Sequence, residues 1–166
     1  MPTTETARPT AGKDIDETRL VALPSSPPDA CIVLLIAQAV VLLPRDRLEQ
    51  LAEAAAAPWS TETERIARID GRRAEALLKA ASSHTGADNK ASAQQHALDS
   101  DAHHLLAHFI EQGQASILCG TPPRPQPHVT VRYLASRTGP LAGRGDILFH
   151  LPDDPMPFLV VNWWVA

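Results

Sequence analysis

Fourteen consecutive residues from Ala30 to Leu43, ACIVLLIAQAVVLL, carry no charge, and this stretch constrains the fold of the 166-residue chain most sharply. A run of that length is too short to cross a bilayer, which takes about 20 apolar residues as a helix. It also lies far from Met1, behind Asp14, Asp16 and Glu17, and no small-residue cleavage pattern follows it, so it does not read as a signal peptide. Its β-branched and leucine content, interrupted by AQA, predicts two strand-length segments, as a hairpin or as one bent buried strand.

The residues around this run divide by composition and periodicity. Residues 1–29 are rich in Thr, Pro, Ser and charge, with PSSPPD just before the apolar run, and read as a flexible leader. Within it Leu20, Val21 and Leu23 are candidates for a short edge strand stopped by Pro24. After Pro44, the residues Leu48, Leu51, Ala52 and Ala55 follow helical spacing up to Pro58. Thr61 and Glu64 have capping-box spacing, with Ser60 a competing cap, and open a second helix whose apolar side holds Ile66, Ile69, Leu77 and Leu78. Gly71 is the expected break in it. A surface loop over residues 82–92 leads to a third helix from about Ala93 to Gln112, stopped by Gly113.

Beyond Gly113 the period becomes that of strands: ASILC at 115–119, HVTVRYLAS at 128–136, DILFHL at 146–151 and FLVVNWWV at 158–165. One face of the second of these is wet, because Thr130 and Arg132 alternate with Val129, Val131 and Tyr133. The last is apolar on both sides, which predicts a central strand or one covered by a partner. The fold class is therefore α+β: a single domain over residues 30–166, with an N-terminal β-β-α unit and two or three helices on a mostly antiparallel C-terminal sheet.

Charge and cysteine content exclude several functions. The net charge of −4 gives no general affinity for polyanions, and Arg124, Arg132, Arg137 and Arg144 lack the aromatic series of a nucleic-acid surface, so a solvated sheet face is expected of them. Cys31 and Cys119 sit in apolar strand settings as small hydrophobes, suited to a reducing compartment. A cytoplasmic protein with no membrane partner is expected. Twelve Arg against three Lys, with much Ala and Pro, suggest a bacterial or phage origin.

Reactive groups crowd in one place. His96, His103, His104 and His108 fall in HALDSDAHHLLAH together with Asp99 and Asp101. On a helix His96 and His103 point away from the apolar stripe of Leu98, Ala102, Leu105, Leu106 and Phe109, into solvent. Asp101, His104 and His108 share the flank, at i, i+3 and i+7, where two imidazoles and a carboxylate suit a zinc or ferrous ion. HLLAH lacks the glutamate of HExxH, so a water-activating group would have to come from Glu111, His128 or His150.

AHHL at Ala102–Leu105 resembles the start of the AHH group of HNH-type toxin nucleases, which implies a strand before the histidines and further Asn and His ligands on a following helix. Here a helical segment precedes them and strands follow. The order of AVVLLPRDRLEQLAEAAAA, helix and SILCG is loosely similar to a JAMM-type metalloprotease domain, but GTPPRPQP stands where the zinc-binding His-x-His-Pro is implied. No phosphate-binding glycine loop or nucleophile elbow is present. The sequence therefore points to a small accessory protein that binds another protein, with homo-oligomers compatible. Its rival is a metal-dependent hydrolase or nuclease built on Asp101, His104 and His108.

Overall fold

The computed structural model describes residues 14–26, 30–82, 100–136 and 142–164, with the side chains of residues 82, 100, 101 and 164 left aside. In chain order the elements are β1 (Ile15–Ala22), β2 (Cys31–Ile36), β3 (Ala39–Pro44), α1 (Arg45–Glu53) with a 3₁₀ turn at Ala54–Ala56, α2 (Glu62–Ser82), α3 (Ser100–Glu111), β4 (Ser116–Cys119), β5 (Arg124–Pro125), β6 (His128–Ser136), β7 (Arg144–His150) and β8 (Pro157–Trp164). They make the expected α+β fold with its N-terminal β-β-α unit.

The uncharged run is a hairpin. β2 and β3 pair antiparallel from Cys31 opposite Pro44 to Ile36 opposite Ala39. Ala37 in the turn adopts a left-handed φ of 51°, a conformation that usually calls for Gly or Asn. Alternation then places Ile32, Leu34, Val41 and Leu43 on a face closed over the core. Pro44 ends β3 and at once caps α1, where the Arg45 N–H donates to the Ala30 carbonyl at 3.1 Å.

Two four-stranded antiparallel sheets form, in the orders β2-β3-β4-β5 and β1-β6-β7-β8. Each mixes strands from both ends of the chain, so β4 leaves the C-terminal strands to extend the apolar hairpin. The residues expected to be a loose leader are divided as well. Residues 15–22 form edge strand β1 against β6, longer than the short strand around Leu20; residues 1–13 and 27–29 lie outside the described residues. Composition misjudged this segment because β6, over a hundred residues away, supplies both its ladder and a partner for Asp16, while Glu17 and Arg19 pair within the strand. Arg132 donates two hydrogen bonds to Asp16, at 2.9 and 2.7 Å, and holds that carboxyl below its usual range.

β8 is not the central strand of its sheet: it is an edge strand with Val160 and Asn162 exposed. An irregularity between the Phe149–Leu159 and His150–Pro157 pairs leaves Phe158 as an extra residue. It turns inward beside Leu159 and meets Phe149 at 6.5 Å between ring centroids. One bulge thus hides both Phe158 and Leu159, which makes the sequence look apolar on both faces.

The helices lie where their signals put them. Both candidate caps serve α2: the Glu64 carboxylate accepts from the N–H groups of Ser60 and Thr61 at 2.8 and 3.0 Å, and Thr61 Oγ1 accepts from the Glu64 N–H at 3.2 Å. Gly71 does not break this helix. A Cβ there would stand 2.6 Å from the Leu51 oxygen and 2.6 Å from the Ala55 nitrogen, so the missing side chain is what lets α1 press on α2. Arg68 Nε donates to the Ala55 carbonyl at 3.2 Å and fastens the same crossing. α3 starts at Ser100, the earlier part of its expected span lying outside the described residues. It ends as expected at Gly113, whose φ of 65° allows Gly113 N–H to reach Ile110 O and Gln114 N–H to reach Phe109 O.

One apolar cluster joins everything: Leu34 and Val41 from the first sheet, Val131 and Phe149 from the second, Leu48 and Leu77 from the first two helices, and Leu105 and Phe109 from α3. Among the described residues no helix is long and apolar enough to cross a membrane.

Candidate functional site

α3 is closed over on more than one side. Ala102, Leu105, Leu106, Ala107, Phe109 and Ile110 are all buried, so the expected stripe is widened by Ala107 and Ile110. Half-buried His104, exposed His108 and exposed Glu111 stand about one turn apart along an accessible ridge. His103, expected in open solvent, is half-buried, and both it and His104 make contacts. His108 stands edge-on to Phe109, with centroids 6.0 Å apart. The side chain of Asp101, and residues His96 and Asp99, lie outside what is described. Among the described residues no group of three or more His, Cys, Asp and Glu is arranged to hold a metal ion.

The three residues considered as water activators are placed elsewhere or occupied. Val129, Val131 and Phe149 face the core, so their strand neighbours His128, Thr130 and His150 face the opposite side of the sheet. The sheet itself separates His128 and His150 from α3. Glu111 accepts a hydrogen bond from the Tyr133 hydroxyl. Arg19 covers that ring at 5.1 Å from its centroid and is paired with Glu17 at 2.7 Å. This cluster ties the end of α3 to the middle of the second sheet. Sequence reasoning missed it because Glu17 and Arg19 were assigned to the leader.

Burial first, and then the bond to Glu111, pushes the Tyr133 phenol up from 10.0 to about 12. A raised acid favours the protonated fold: its contribution is complete below about pH 10 and is lost as pH rises through about 12. Tyr133 is the only tyrosine in the chain, so tyrosinate absorbance reports on it alone. The native midpoint is expected near 12, returning to the ordinary value of 10.0 on denaturation and only part of the way in Glu111→Ala, where burial still acts. A native midpoint at the ordinary value would mean that neither the burial of the ring nor its bond to Glu111 holds in solution.

The cysteines are remote from each other. Cys31 is level with Pro44 at one end of β3, whereas Cys119 lies one step past the Leu118–Val40 pair, at the other end and two strands away. No bridge is within reach. Both thiols are half-buried, and burial pushes the Cys31 thiol up, away from nucleophile chemistry. The arginines do not form a patch either. Arg132 is engaged by Asp16, Arg124 belongs to the other sheet, and Arg137 lies outside the described residues.

Two surfaces among the described residues stand out. A half-open cleft of about 1080 Å³ lies at the end of the second sheet, lined by Ile15, Ala135, Gly145, Asp146 and Trp163 among others. The strand register puts Trp163 and Asp146 on opposite faces, and the indole is laid against Gly145, within 2.6 Å of where a Cβ would be. Indole and carboxylate therefore do not converge on a ligand. The second surface is the outer face of the same sheet, opposite the core. Across the strands run Thr18, Arg132, Leu148 and Val160, flanked on one side by Leu20, Thr130 and His150 and on the other by Asp16, Leu134, Asp146 and Asn162. Leu20 is 69% exposed and Val160 40%. The chain matches no family model, no curated protein and no solved structure.

Proposed function

We propose that this chain acts by binding another protein through the outer face of the sheet β1-β6-β7-β8. The observation that carries the reading is the exposure of Leu20 and Val160 on the outer face of a sheet whose strands β6, β7 and β8 bury Val129, Val131, Phe149, Leu159 and Val161 on the other side. Leu148 pairs with Val160 and lies diagonal to Leu134, Arg132 and Thr130 stand between these three and Leu20, and Asp16, Arg144 and Asp146 complete a face that mixes apolar groups with both signs of charge. Protein interfaces that form and dissolve are about as apolar as the rest of a protein surface and are enriched in arginine, which suits such a mixed face. The partner fitted to this face is a protein with an apolar patch bordered by both signs of charge.

The test compares three versions of the full chain as bait: wild type, Leu20→Glu/Val160→Glu, and Ile66→Glu as a control on α2. Partners cross-linked to wild type and to the control, but reduced at least about tenfold with the double variant, support the reading. Melting of the three should agree within the range of surface substitutions, about 0.5 kcal/mol. Equal capture by all three overturns the proposal. Metal analysis of the same preparations addresses the rival built on Asp101, His104 and His108. Substoichiometric zinc and iron are expected, and one equivalent that disappears in His104→Ala/His108→Ala would transfer the function to a metal centre.

A further inference from the structure

Two sheets that do not close into barrels have four edges, and three of the four carry a device that discourages pairing with another chain. β1 bears Asp16, Glu17 and Arg19. β5 is two residues long and contains Pro125. β8 starts at Pro157 and is bulged. The fourth edge, β2, has the sequence CIVLLI: no charge, no proline, no glycine and a regular ladder to β3. Among the described residues no strand pairs with its free side, and no backbone bond to that side is present.

We infer that β2 pairs antiparallel with β2 of a second copy of this chain, joining two four-stranded sheets into one of eight. This interface is separate from the face proposed above and does not depend on it. Charge decides the occupant. β2, β3 and β4 together hold no ionisable group besides their two thiols, so the edge offers nothing to select a charged strand. What it selects is alternation and bulk, and β2 meets its own requirement. A two-fold axis through Val33 places Val33 against Val33 of the second copy, Ile32 against Leu34 and Cys31 against Leu35. Each of these pairs matches core side with core side or outer side with outer side. The half-buried Cys31, Val33 and Leu35 then shield their counterparts, and the free backbone groups of both edges are satisfied together.

The full chain is tested by light scattering after size exclusion over a concentration series, alongside Val33→Lys and Leu20→Lys. Val33 is half-buried and pairs with Leu42, so a lysine there sets two like charges face to face across the axis, and melting of the variant beside wild type checks that the fold is kept. Wild type and Leu20→Lys are expected at twice the 17.9 kDa chain mass, and Val33→Lys at one chain mass under the same conditions. A second measurement is independent of any variant: amide exchange over residues 31–36 should be slow when concentrated and accelerate on dilution. A wild-type monomer overturns the inference, whether its β2 amides exchange freely or are protected by another part of the same chain. A Val33→Lys dimer overturns it as well. Loss of the dimer in Leu20→Lys but not in Val33→Lys would move the interface to the other sheet.

Discussion

Phe109→Ala is expected to cost about 3–5 kcal/mol, which for a chain of this size is a drop of roughly 10 °C in Tm. Phe109 is 1% exposed, and the cluster around it contains side chains from both sheets and from all three helices. Removing the ring leaves a cavity with fixed walls, because its lining belongs to elements that cannot move together. The neighbouring His108 is exposed, and His108→Ala should change stability by no more than about 0.5 kcal/mol. Thermal or denaturant melts of the two variants check the contrast. Comparable losses would mean that the edge-on imidazole, at 6.0 Å, supports the core rather than merely bordering it.

Gly71→Ala separates local preference from packing by sign. In the interior of an isolated helix this change is favourable by about 1 kcal/mol. In the fold a methyl group would be 2.6 Å from two backbone atoms of α1 and its 3₁₀ extension, which cannot swing aside as a side-chain tip can. We expect a net loss of about 2 kcal/mol, and a greater loss with Gly71→Val, measured as a shift in the denaturant midpoint at constant slope. Stabilisation by alanine would show that α1 rides freely over α2. An unchanged Arg68→Ala would support the same conclusion, since Arg68 Nε and the Ala55 carbonyl share this crossing.

Gly71 also marks the limit of what could be read from the sequence. A glycine in a helical pattern is a weak spot by propensity, and only a neighbouring helix reveals it as a point of close approach. Signals contained within a few residues were legible: the Ser60, Thr61 and Glu64 cap, the stop at Gly113, and the alternation of Val129, Val131 and Tyr133 in a strand bounded at 128–136. Partnership between distant segments was not. Nothing in SILC says that it joins Val40–Leu42 rather than the strands that follow it, and nothing in IDETRLVA announces Arg132 as the partner of Asp16. The bulge at Phe158 defeated a period-two reading of β8, since a single extra residue exchanges the faces. Of the histidine cluster, the helix and its apolar stripe were legible. The barrier that places His128 and His150 behind a sheet was not, because it depends on which strand face the core occupies.

The pairing of β1 with β6 has a consequence for the order of assembly. As the chain is synthesised β1 emerges early, yet Ala22 must wait for His128, and Ile15 for Ala135. The β2-β3 hairpin, α1 and α2 meet partners close in sequence and can condense in the meantime. For that whole interval β1 is a strand with both sides open, beside the most apolar segment of the protein. Asp16, Glu17 and Arg19 make it a poor mate for CIVLLI, so the charges that guard an edge in the finished fold also keep the nascent chain from closing on the wrong strand.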